Sequence, residues 1–514
     1  YTLWHTLSLH DALPISQELD REYRLGGPRG PLHGIPIVIK DNIDSRGLVT
    51  TAGFSGFSAA TGGVDMVPGD DAAVVERLKA AGAIVLGKTN MPDFAGHGTR
   101  TESSVAGVTL NPYNVEKAPG GSSGGTATAV NASFAVAGLG TETGGSIQNP
   151  AAAQALVGVK PTFGLVPLEG VVPMSGWVDV VGPLARSVKD AAYLLDAIAG
   201  PRGEDPRTLR APSRLPENGY ARALSDSALV GRRFGLVGEG WRTSFLPLAP
   251  ETEALYRQAI QALEGEGGEV VEDPFAGTDF IETYRRRRRT EADDEYDLAA
   301  YLRGLGPEAA FHSVREWEAL TGRSFRSRGG RDRAPSARDS AQVPDSARAT
   351  DSLKAPDSAQ ATDSLQAPDS AQDPDSLVGP EGEEEPGAEG ADDPPSFAEW
   401  RAEIQALFRQ VLETHDLDGL FFPQAGAPIP NLVEAPERPE YNPNNHPELP
   451  SNIVNQMGLP VVTLPFGYYE DGTPFVLAFI GDVWTEKELL AFAYDLEQAT
   501  RKRRPPGLIS ESGR

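Results

Sequence analysis

The segment that most restricts the fold is residues 35–39, a short run in which every residue is apolar and which ends at Lys40. A strand that is apolar on both faces is typical of a sheet covered by helices on both sides. Residues 70–82 then predict an amphipathic helix, and a second apolar run, 83–87, follows it directly. The same alternation continues from 17 to 323. Because a helix that leads into a strand is the βαβ pattern, the sequence predicts a layered α/β domain.

The composition changes abruptly near residue 324. Asp-Ser pairs recur every six residues from 339 to 375, and an acidic run, 381–393, follows them. Such a segment has too few apolar residues to offset its ordering entropy, so we expect residues 324–398 to be a disordered, low-complexity insertion. Helical and apolar patterns then return. Residues 16–323 and 399–514 are therefore predicted to be two parts of one domain.

The N-terminal residues do not fit this pattern. They lack the basic start and the cleavage site of a signal peptide, and they resemble translated sequencing-adapter sequence. We expect residues 1–15 to be a non-native extension. No apolar run reaches the length of a membrane-spanning helix, so a cytoplasmic protein is predicted.

The charge and the cysteine count exclude several kinds of partner and site. A net charge of -27 argues against a nucleic-acid partner, which needs clustered cations. The chain has no cysteine, so thiolate catalysis and cysteine-ligated metals are excluded. His33 and His97 lack a second ligand at helical spacing and are predicted to be structural. No cofactor and no metal is predicted.

Lys40 is the first candidate for chemistry. If the end of its strand is buried, desolvation lowers the pKa of the amine and makes it available as a general base. The alternative is a lysine that reaches into water from a strand end.

Two glycine-rich segments supply candidate hydroxyls. PGGSSGG holds Ser122 and Ser123, and we predict a small-residue helix from 126 to 138 after it. The alternative is a flexible Gly/Ser turn. In the second segment, GTETGGSIQNP, Thr143, Gly144 and Gly145 precede Ser146. Consecutive backbone N–H groups beside a hydroxyl are the layout of an oxyanion hole.

Together these segments resemble the amidase-signature family. The resemblance runs through GPLHGIPIVIKDNID, GAIVLGKTNMPDFA, APGGSSGG, GTETGGSI and LPSNIVNQMGLPVVTLPFG. It implies an α/β/α sandwich around a mixed twisted sheet. It also implies an amidase that cleaves carboxamide C–N bonds through an acyl-enzyme. Ser146 would be the nucleophile, Ser122 a bridging residue after a cis peptide bond, and Lys40 the base, while the N–H groups of 143–146 hold the oxyanion.

The chain departs from the family pattern at two positions. Glu142 stands where many members have aspartate, and Gln148 stands where many have arginine. Any contact that the family assigns to that arginine cannot be carried over.

Three other functions compete with a stand-alone amidase. The spacing Gly121-x-Ser123-x-Gly125 fits the nucleophile elbow of an esterase, but the residues before it are not an apolar strand, and His312, His415 and His446 have polar or variable surroundings. The same triad would also serve a glutamine-hydrolysing subunit of a transamidating complex. A non-catalytic scaffold is suggested only by the repeats.

The sequence defines the substrate only as a small-molecule amide. Phe54 and Trp177 are candidates for lining its pocket. The oligomeric state is open, with a homodimer as one option.

Overall fold

The computed structural model describes residues 3–6, 9–203, 205–287, 293–325, 396–432 and 446–507. The predicted insertion, 324–398, lies outside the described residues except at 324–325 and 396–398. None of the described helices has the length and apolar character needed to cross a membrane.

The described strands form one mixed sheet and one small hairpin. Their bounds are β1 Leu3–Thr6, β2 Pro36–Lys40, β3 Ile84–Thr89, β4 Glu102–Ser103, β5 Gly107–Val108, β6 Ala137–Glu142, β7 Val157–Lys160, β8 Val180–Ala185, β9 Arg233–Leu236, β10 Glu269–Val271, β11 Gly419–Pro423, β12 Val461–Tyr468 and β13 Pro474–Ile480. The order across the sheet is β1-β3-β2-β6-β8-β7-β12-β13-β11-β9-β10, and β4 pairs with β5.

Helices connect and cover these strands. Their bounds are α1 Leu9–Gly26, α2 Ala73–Ala80, α3 Gly124–Asn131, α4 Gln148–Ala153, α5 Val188–Ile198, α6 Pro250–Gly265, α7 Phe280–Arg285, α8 Asp293–Arg303, α9 Val314–Thr321, α10 Phe397–His415, α11 Ser451–Met457 and α12 Glu486–Thr500.

The apolar run that opened the sequence analysis is β2, a central strand with cores on both of its faces. Ile37 and Ile39 pack in one core with residues of α2, α5, α6 and α12. Val38 points the other way and packs in a core with residues of α3 and α4. Because successive side chains of a strand alternate between faces, a strand of this kind requires helices on both sides. The predicted α/β/α sandwich around a mixed sheet is confirmed.

Strands from both sides of the predicted insertion belong to the same sheet. β12 pairs antiparallel with β7, with Val461 opposite Lys160. β11 pairs in parallel with β9. The C-terminal segment therefore completes the sheet that the N-terminal segment begins.

The small-residue helix predicted from 126 to 138 is wrong at its C-terminal end. α3 ends at Asn131, and the chain enters β6 at Ala137. β6 consists of AGLGTE because its neighbours are very close: a Cβ added to Gly138 would lie 2.5 Å from Cγ2 of Thr126. Such a strand must use small residues, and its composition then resembles that of a small-residue helix.

At the N-terminus, β1 pairs antiparallel with β3, with Leu3 opposite Thr89. α1 spans the predicted boundary at residue 15. The proposal that residues 1–15 are not native stays a prediction.

Candidate active site

Lys40 is the last residue of β2 and is fully buried. Its Nζ contacts the Ser122 Oγ at 2.6 Å, the Thr141 Oγ1 at 2.9 Å and the Thr141 carbonyl oxygen at 3.1 Å. The alternative in which this lysine reaches into water is therefore wrong. The side chain ends instead against the hydroxyl of a candidate catalytic serine.

The surroundings of Lys40 make its amine a base near neutral pH. Burial lowers the pKa of Lys40 to about 7, because desolvation destabilises the ammonium form, while the carboxylates of Asp179 and Glu142 oppose the shift. In the described part of the chain, Lys40 forms no salt bridge. A substantial fraction of its amine is consequently neutral at pH 7, with a lone pair that can accept a proton.

Two other lysines are fully buried, and their contacts differ from those of Lys40. Lys88 lies 3.3 Å from Asp41 in a salt bridge and donates to the Thr50 hydroxyl at 2.8 Å. Lys160 donates to two backbone carbonyl oxygens, at 2.6 and 2.9 Å. Their roles are therefore structural, and burial alone does not mark a catalytic lysine. Contact with a serine hydroxyl distinguishes Lys40 from both.

Ser122 lies in a tightly packed turn before α3. The peptide bond between Gly121 and Ser122 is cis, and Ser122 is fully buried. A Cβ on Gly121 would lie 2.4 Å from the carbonyl oxygen of His97, and one on Gly124 would lie 2.3 Å from the Thr101 Oγ1. The glycines are thus required by close packing, and the alternative of a flexible Gly/Ser turn is wrong.

Ser146 lies in the turn between β6 and α4 and is 7% exposed. The backbone N–H of Ser123 donates to the carbonyl of Ser146 at 3.2 Å, which joins the two glycine-rich turns. Within the described residues, the N–H groups of Gly144, Gly145 and Ser146 have no protein acceptor. Gly145 has φ +143°, a conformation that favours glycine. The turn therefore presents free backbone donors beside a hydroxyl.

Glu142 stabilises the end of this turn where α4 begins. The sequence analysis did not predict this role. Its carboxylate is buried and accepts the backbone N–H groups of Ile147 at 2.7 Å and Gln148 at 3.0 Å. It also accepts the side-chain amide of Gln148 at 2.6 Å. Gln148 therefore contacts Glu142 as a neutral donor, where a family arginine would bring a charge. The only sequence observation that pointed to this role of Glu142 was that many family members have aspartate at this position.

Two further side chains fix Thr143, the first residue of the turn. Its hydroxyl donates to Asp179 at 2.5 Å, and its carbonyl accepts a hydrogen bond from the Asn455 amide. Asn455 lies in α11, so the C-terminal segment contributes to the geometry of the turn. Sequence spacing could not reveal these contacts, because the residues are far apart along the chain.

The structure forms one of the two links that the implied triad requires. Lys40 contacts Ser122, whereas the Ser146 hydroxyl has no hydrogen-bond partner among the described residues. The link from Ser122 to Ser146 is therefore not made in this structure.

The rival nucleophile Ser123 has a different environment. It is fully buried, and its hydroxyl donates to the Thr141 carbonyl at 3.1 Å. Residues 109–121, all of which the structure describes, contain no strand that leads into it. An elbow nucleophile needs such a strand and an exposed hydroxyl. The context for the elbow is absent.

A cavity of about 460 Å³ lies between residues 68–71, 168–171 and 300–305, and Asp179, which accepts the hydroxyl of Thr143, is part of its lining. A narrower cleft reaches Thr141 and Thr143, and both spaces are lined by Asp179, Leu168, Val171 and Pro173. Neither space is lined by Lys40, Ser122 or Ser146.

The predicted pocket residues Phe54 and Trp177 do not line this cavity or the cleft. Phe54 packs instead in an aromatic cluster with Phe57 and Trp317, and Trp177 packs on Phe397. Aromatic residues in a variable segment had suggested a pocket, but tertiary packing uses these two side chains elsewhere.

The two histidines near the motifs have structural contacts. The His97 Nδ1 accepts the backbone N–H groups of Thr99 and Arg100, both at 3.1 Å. The His33 Nε2 lies 3.0 Å from the carbonyl oxygen of Leu19. Within the described residues, no group of three or more metal-ligating side chains could hold an ion.

Comparison with known proteins decides the family. The sequence model of the family described as Amidase matches residues 2–298. The chain belongs to the amidase family. Curated relatives of this amidase-family chain include a glutamyl-tRNA(Gln) amidotransferase subunit of Thermosynechococcus vestitus, 42% identical over 52% of each protein. The chain thus spans about half the length of such relatives.

Longer matches extend over nearly the whole chain. A glutamyl-tRNA(Gln) amidotransferase subunit of a Synechococcus species is 30% identical over 97% of this chain and 89% of that protein. The solved structure of the peptide amidase from Stenotrophomonas maltophilia is 32% identical, with a TM-score of 0.70, over 97% of this chain and 89% of that one. The chain is therefore similar both to free amidases and to subunits of a transamidating enzyme.

If this chain hydrolyses amides, replacing Glu142 with alanine should slow that reaction about 10²-fold, because the turn with the candidate oxyanion donors loses its three hydrogen bonds to the carboxylate. Glu142→Gln is the matched control. Among the described residues, the Gln148 Oε1 has no hydrogen-bond partner, so the Gln148 amide can flip and accept from the new side chain. Steady-state kinetics that show equal losses for both variants would contradict a positioning role for Glu142.

Proposed function

We propose that this chain hydrolyses carboxamide C–N bonds, with Ser146 as nucleophile, Ser122 as proton relay and Lys40 as base. The observation that carries the proposal is the 2.6 Å contact between the Lys40 Nζ and the Ser122 Oγ. A buried amine with a pKa near 7 that touches a serine hydroxyl is an activated proton acceptor. The free N–H groups of 144–146 supply the second requirement, donors for an oxyanion.

The first half of the reaction forms an ester. Neutral Lys40 accepts the proton of Ser122, Ser122 accepts the proton of Ser146, and the Ser146 oxygen attacks the amide carbonyl carbon. The carbonyl oxygen becomes an oxyanion bound by the backbone N–H groups. When the C–N bond breaks, the proton held on Lys40 returns through Ser122 to the leaving nitrogen. Ammonia or an amine departs, and the acyl group remains on Ser146.

The second half repeats the proton path with water. Water loses a proton through Ser122 to Lys40 and attacks the ester carbonyl, and the Ser146 oxygen recovers the proton as the acid leaves. Both halves require the Ser122–Ser146 link, which we expect to form when substrate arrives and the Ser146 side chain rotates. Hydrogen bonds in catalytic sites often tighten only in the complex with substrate.

The substrate is proposed to enter through the cavity of about 460 Å³. A space of that size accepts a small molecule. Asp179 lines this cavity and accepts the hydroxyl of Thr143, the first residue of the turn, so a substrate in the cavity would lie next to that residue.

A second candidate function is glutamine hydrolysis in a transamidating complex, since several relatives are named as subunits of glutamyl-tRNA(Gln) amidotransferase. In that case the ammonia would pass to a partner protein, and a tRNA would belong to the assembly. The structural relative named as a peptide amidase favours a stand-alone hydrolase.

Ammonia release by the purified chain discriminates the two functions. The panel is glutamine, a C-terminal peptide amide, an aliphatic amide and an aryl amide, each assayed with the chain alone. We expect turnover of a non-glutamine amide without any partner. Turnover of glutamine alone would favour the transamidating role, and absence of turnover on every amide would contradict the stand-alone amidase.

A further inference from the structure

A second cavity, of about 330 Å³, lies where the start of α5 meets the residues that follow α12. Four of its lining residues are cations: Arg186, Arg501, Lys502 and Arg503. We call it the basic cavity. Such a cluster is unexpected in a chain with a net charge of -27.

Among the described residues, the cations of the basic cavity make no direct ion pair with a carboxylate. Throughout the described ranges, none of the four forms a salt bridge. Arg186 donates to the carbonyl oxygens of Val130 at 2.8 Å and Ala135 at 3.4 Å. Arg503 donates to the Ala155 carbonyl at 2.9 Å and to the Asn131 side-chain oxygen at 2.6 Å. These acceptors are neutral, so the guanidinium groups keep their full charges close together.

The positive charges of Arg186 and Arg503 repel each other. Burial lowers the pKa of Arg186, the neighbouring cation of Arg503 lowers it further, and the carboxylate of Asp190 partly opposes the shift. An arrangement that holds like charges together is unfavourable unless an anion lies between them.

The one carboxylate in the lining, Glu497, offsets little of this charge. Its Oε1 accepts the backbone N–H of Val188 at 3.0 Å, at the start of α5. Burial raises the pKa of Glu497 to about 7, so the group is only partly ionised at neutral pH. The basic cavity therefore retains a net positive charge.

We propose that the basic cavity binds a small phosphate-type oxyanion, either free phosphate or the phosphate group of a small metabolite. Guanidinium groups offer paired N–H donors that match the oxygens of phosphate, and a lysine ammonium adds a point charge. Two of the cations, Arg501 and Lys502, are exposed and can close on an anion from the solvent side.

The basic cavity lies near the C-terminal ends of two helices whose N-terminal ends are at the candidate active site. Val130 and Asn131 end α3, the helix that begins just after Ser122. Ala155 follows α4, the helix that begins just after Ser146. Arg186 and Arg503 thus hold the far ends of the two helices whose near ends carry the candidate catalytic serines. An anion between these arginines would relieve their repulsion and stabilise both helices.

The test uses the full chain and two double variants that each remove two positive charges. Arg501→Ala with Lys502→Ala alters the basic cavity, and both residues are exposed, so the fold should survive. Arg210→Ala with Arg222→Ala is the matched control, because in the described structure these two exposed side chains make no hydrogen bond or salt bridge. Arg186 and Arg503 are left unchanged, since their hydrogen bonds hold the helices.

Inorganic phosphate and pyrophosphate are titrated by calorimetry at fixed pH and ionic strength, and thermal denaturation is followed in parallel. We expect saturable binding of one anion by the wild-type chain and by the control. In the Arg501→Ala, Lys502→Ala variant, the affinity for the anion should fall at least about tenfold. The increase in melting temperature that the anion produces should become smaller as well. Equal affinity in both variants, or a thermal gain without saturable binding, would overturn the proposal, since phosphate also stabilises proteins by exclusion from their surfaces.

Discussion

Replacing Ser146 with alanine is expected to reduce amide hydrolysis by about 10⁴-fold or more, to the level that oxyanion binding alone sustains. The substitution removes the hydroxyl that directly follows the free N–H groups of Gly144 and Gly145 in the turn after β6. The fold should be unaffected, because the Ser146 side chain makes no hydrogen bond among the described residues.

Ser123→Ala is the matched control for that experiment. Ser123 is the adjacent candidate, but its hydroxyl is buried against the Thr141 carbonyl. Ammonia release and mass spectrometry of the quenched enzyme are measured for both variants. We expect an acyl adduct in the wild-type chain and in Ser123→Ala, and none in Ser146→Ala. Full activity in Ser146→Ala would remove Ser146 from the mechanism, and an adduct that requires Ser123 would restore the esterase elbow.

Replacing Lys40 with methionine is expected to lower kcat/KM by about 10³-fold, since general base catalysis contributes in that range. Methionine fills a similar volume without a titratable group. Lys40→Arg should not restore activity, because a guanidinium remains protonated and cannot accept the Ser122 proton. Recovery of activity in Lys40→Arg would show that a positive charge, and not a base, is what the site needs.

The pH profile provides a second readout of Lys40. The active form is the neutral amine, and its pKa is lowered to about 7, so kcat/KM should rise with pH through 7 and level off above it. The small residual activity of Lys40→Met should lack this rise. A wild-type profile that is flat across pH 7, or one that the substitution leaves unchanged, would contradict the assignment of Lys40 as base.

The central strand and the family were predictable from the sequence for a physical reason. A strand covered on both faces must be apolar at every position. Residues 35–39 therefore predict both a strand and its position in a sheet that lies between two layers of helices. Lys40 then stands out because a charged residue at the end of such a strand is costly unless it has a function. Both signals are local in sequence, which is why they could be seen without coordinates.

Contacts between distant residues could not be predicted in this way. The helix predicted from 126 to 138 failed because β6 uses small residues to fit against Thr126, which is a constraint of packing and not of propensity. Asn455 reaches Thr143 from α11, and no sequence period connects the two. Phe54 and Trp177 likewise pack on residues that are distant in the sequence, and neither lines the cavity or the cleft.

The pairing of β12 with β7 has a consequence for how the chain is made. The ribosome finishes β7 long before it reaches Val461, so the open edge of a central strand stays unpaired during most of translation. Unpaired apolar edges invite association with other chains, and contacts between remote residues form slowly. Nascent chains therefore carry Lys40, Ser122 and Ser146 while the β7 edge of the same sheet is still exposed. The hydrogen bond from Asn455 to the carbonyl of Thr143 likewise forms only after α11 has been synthesised.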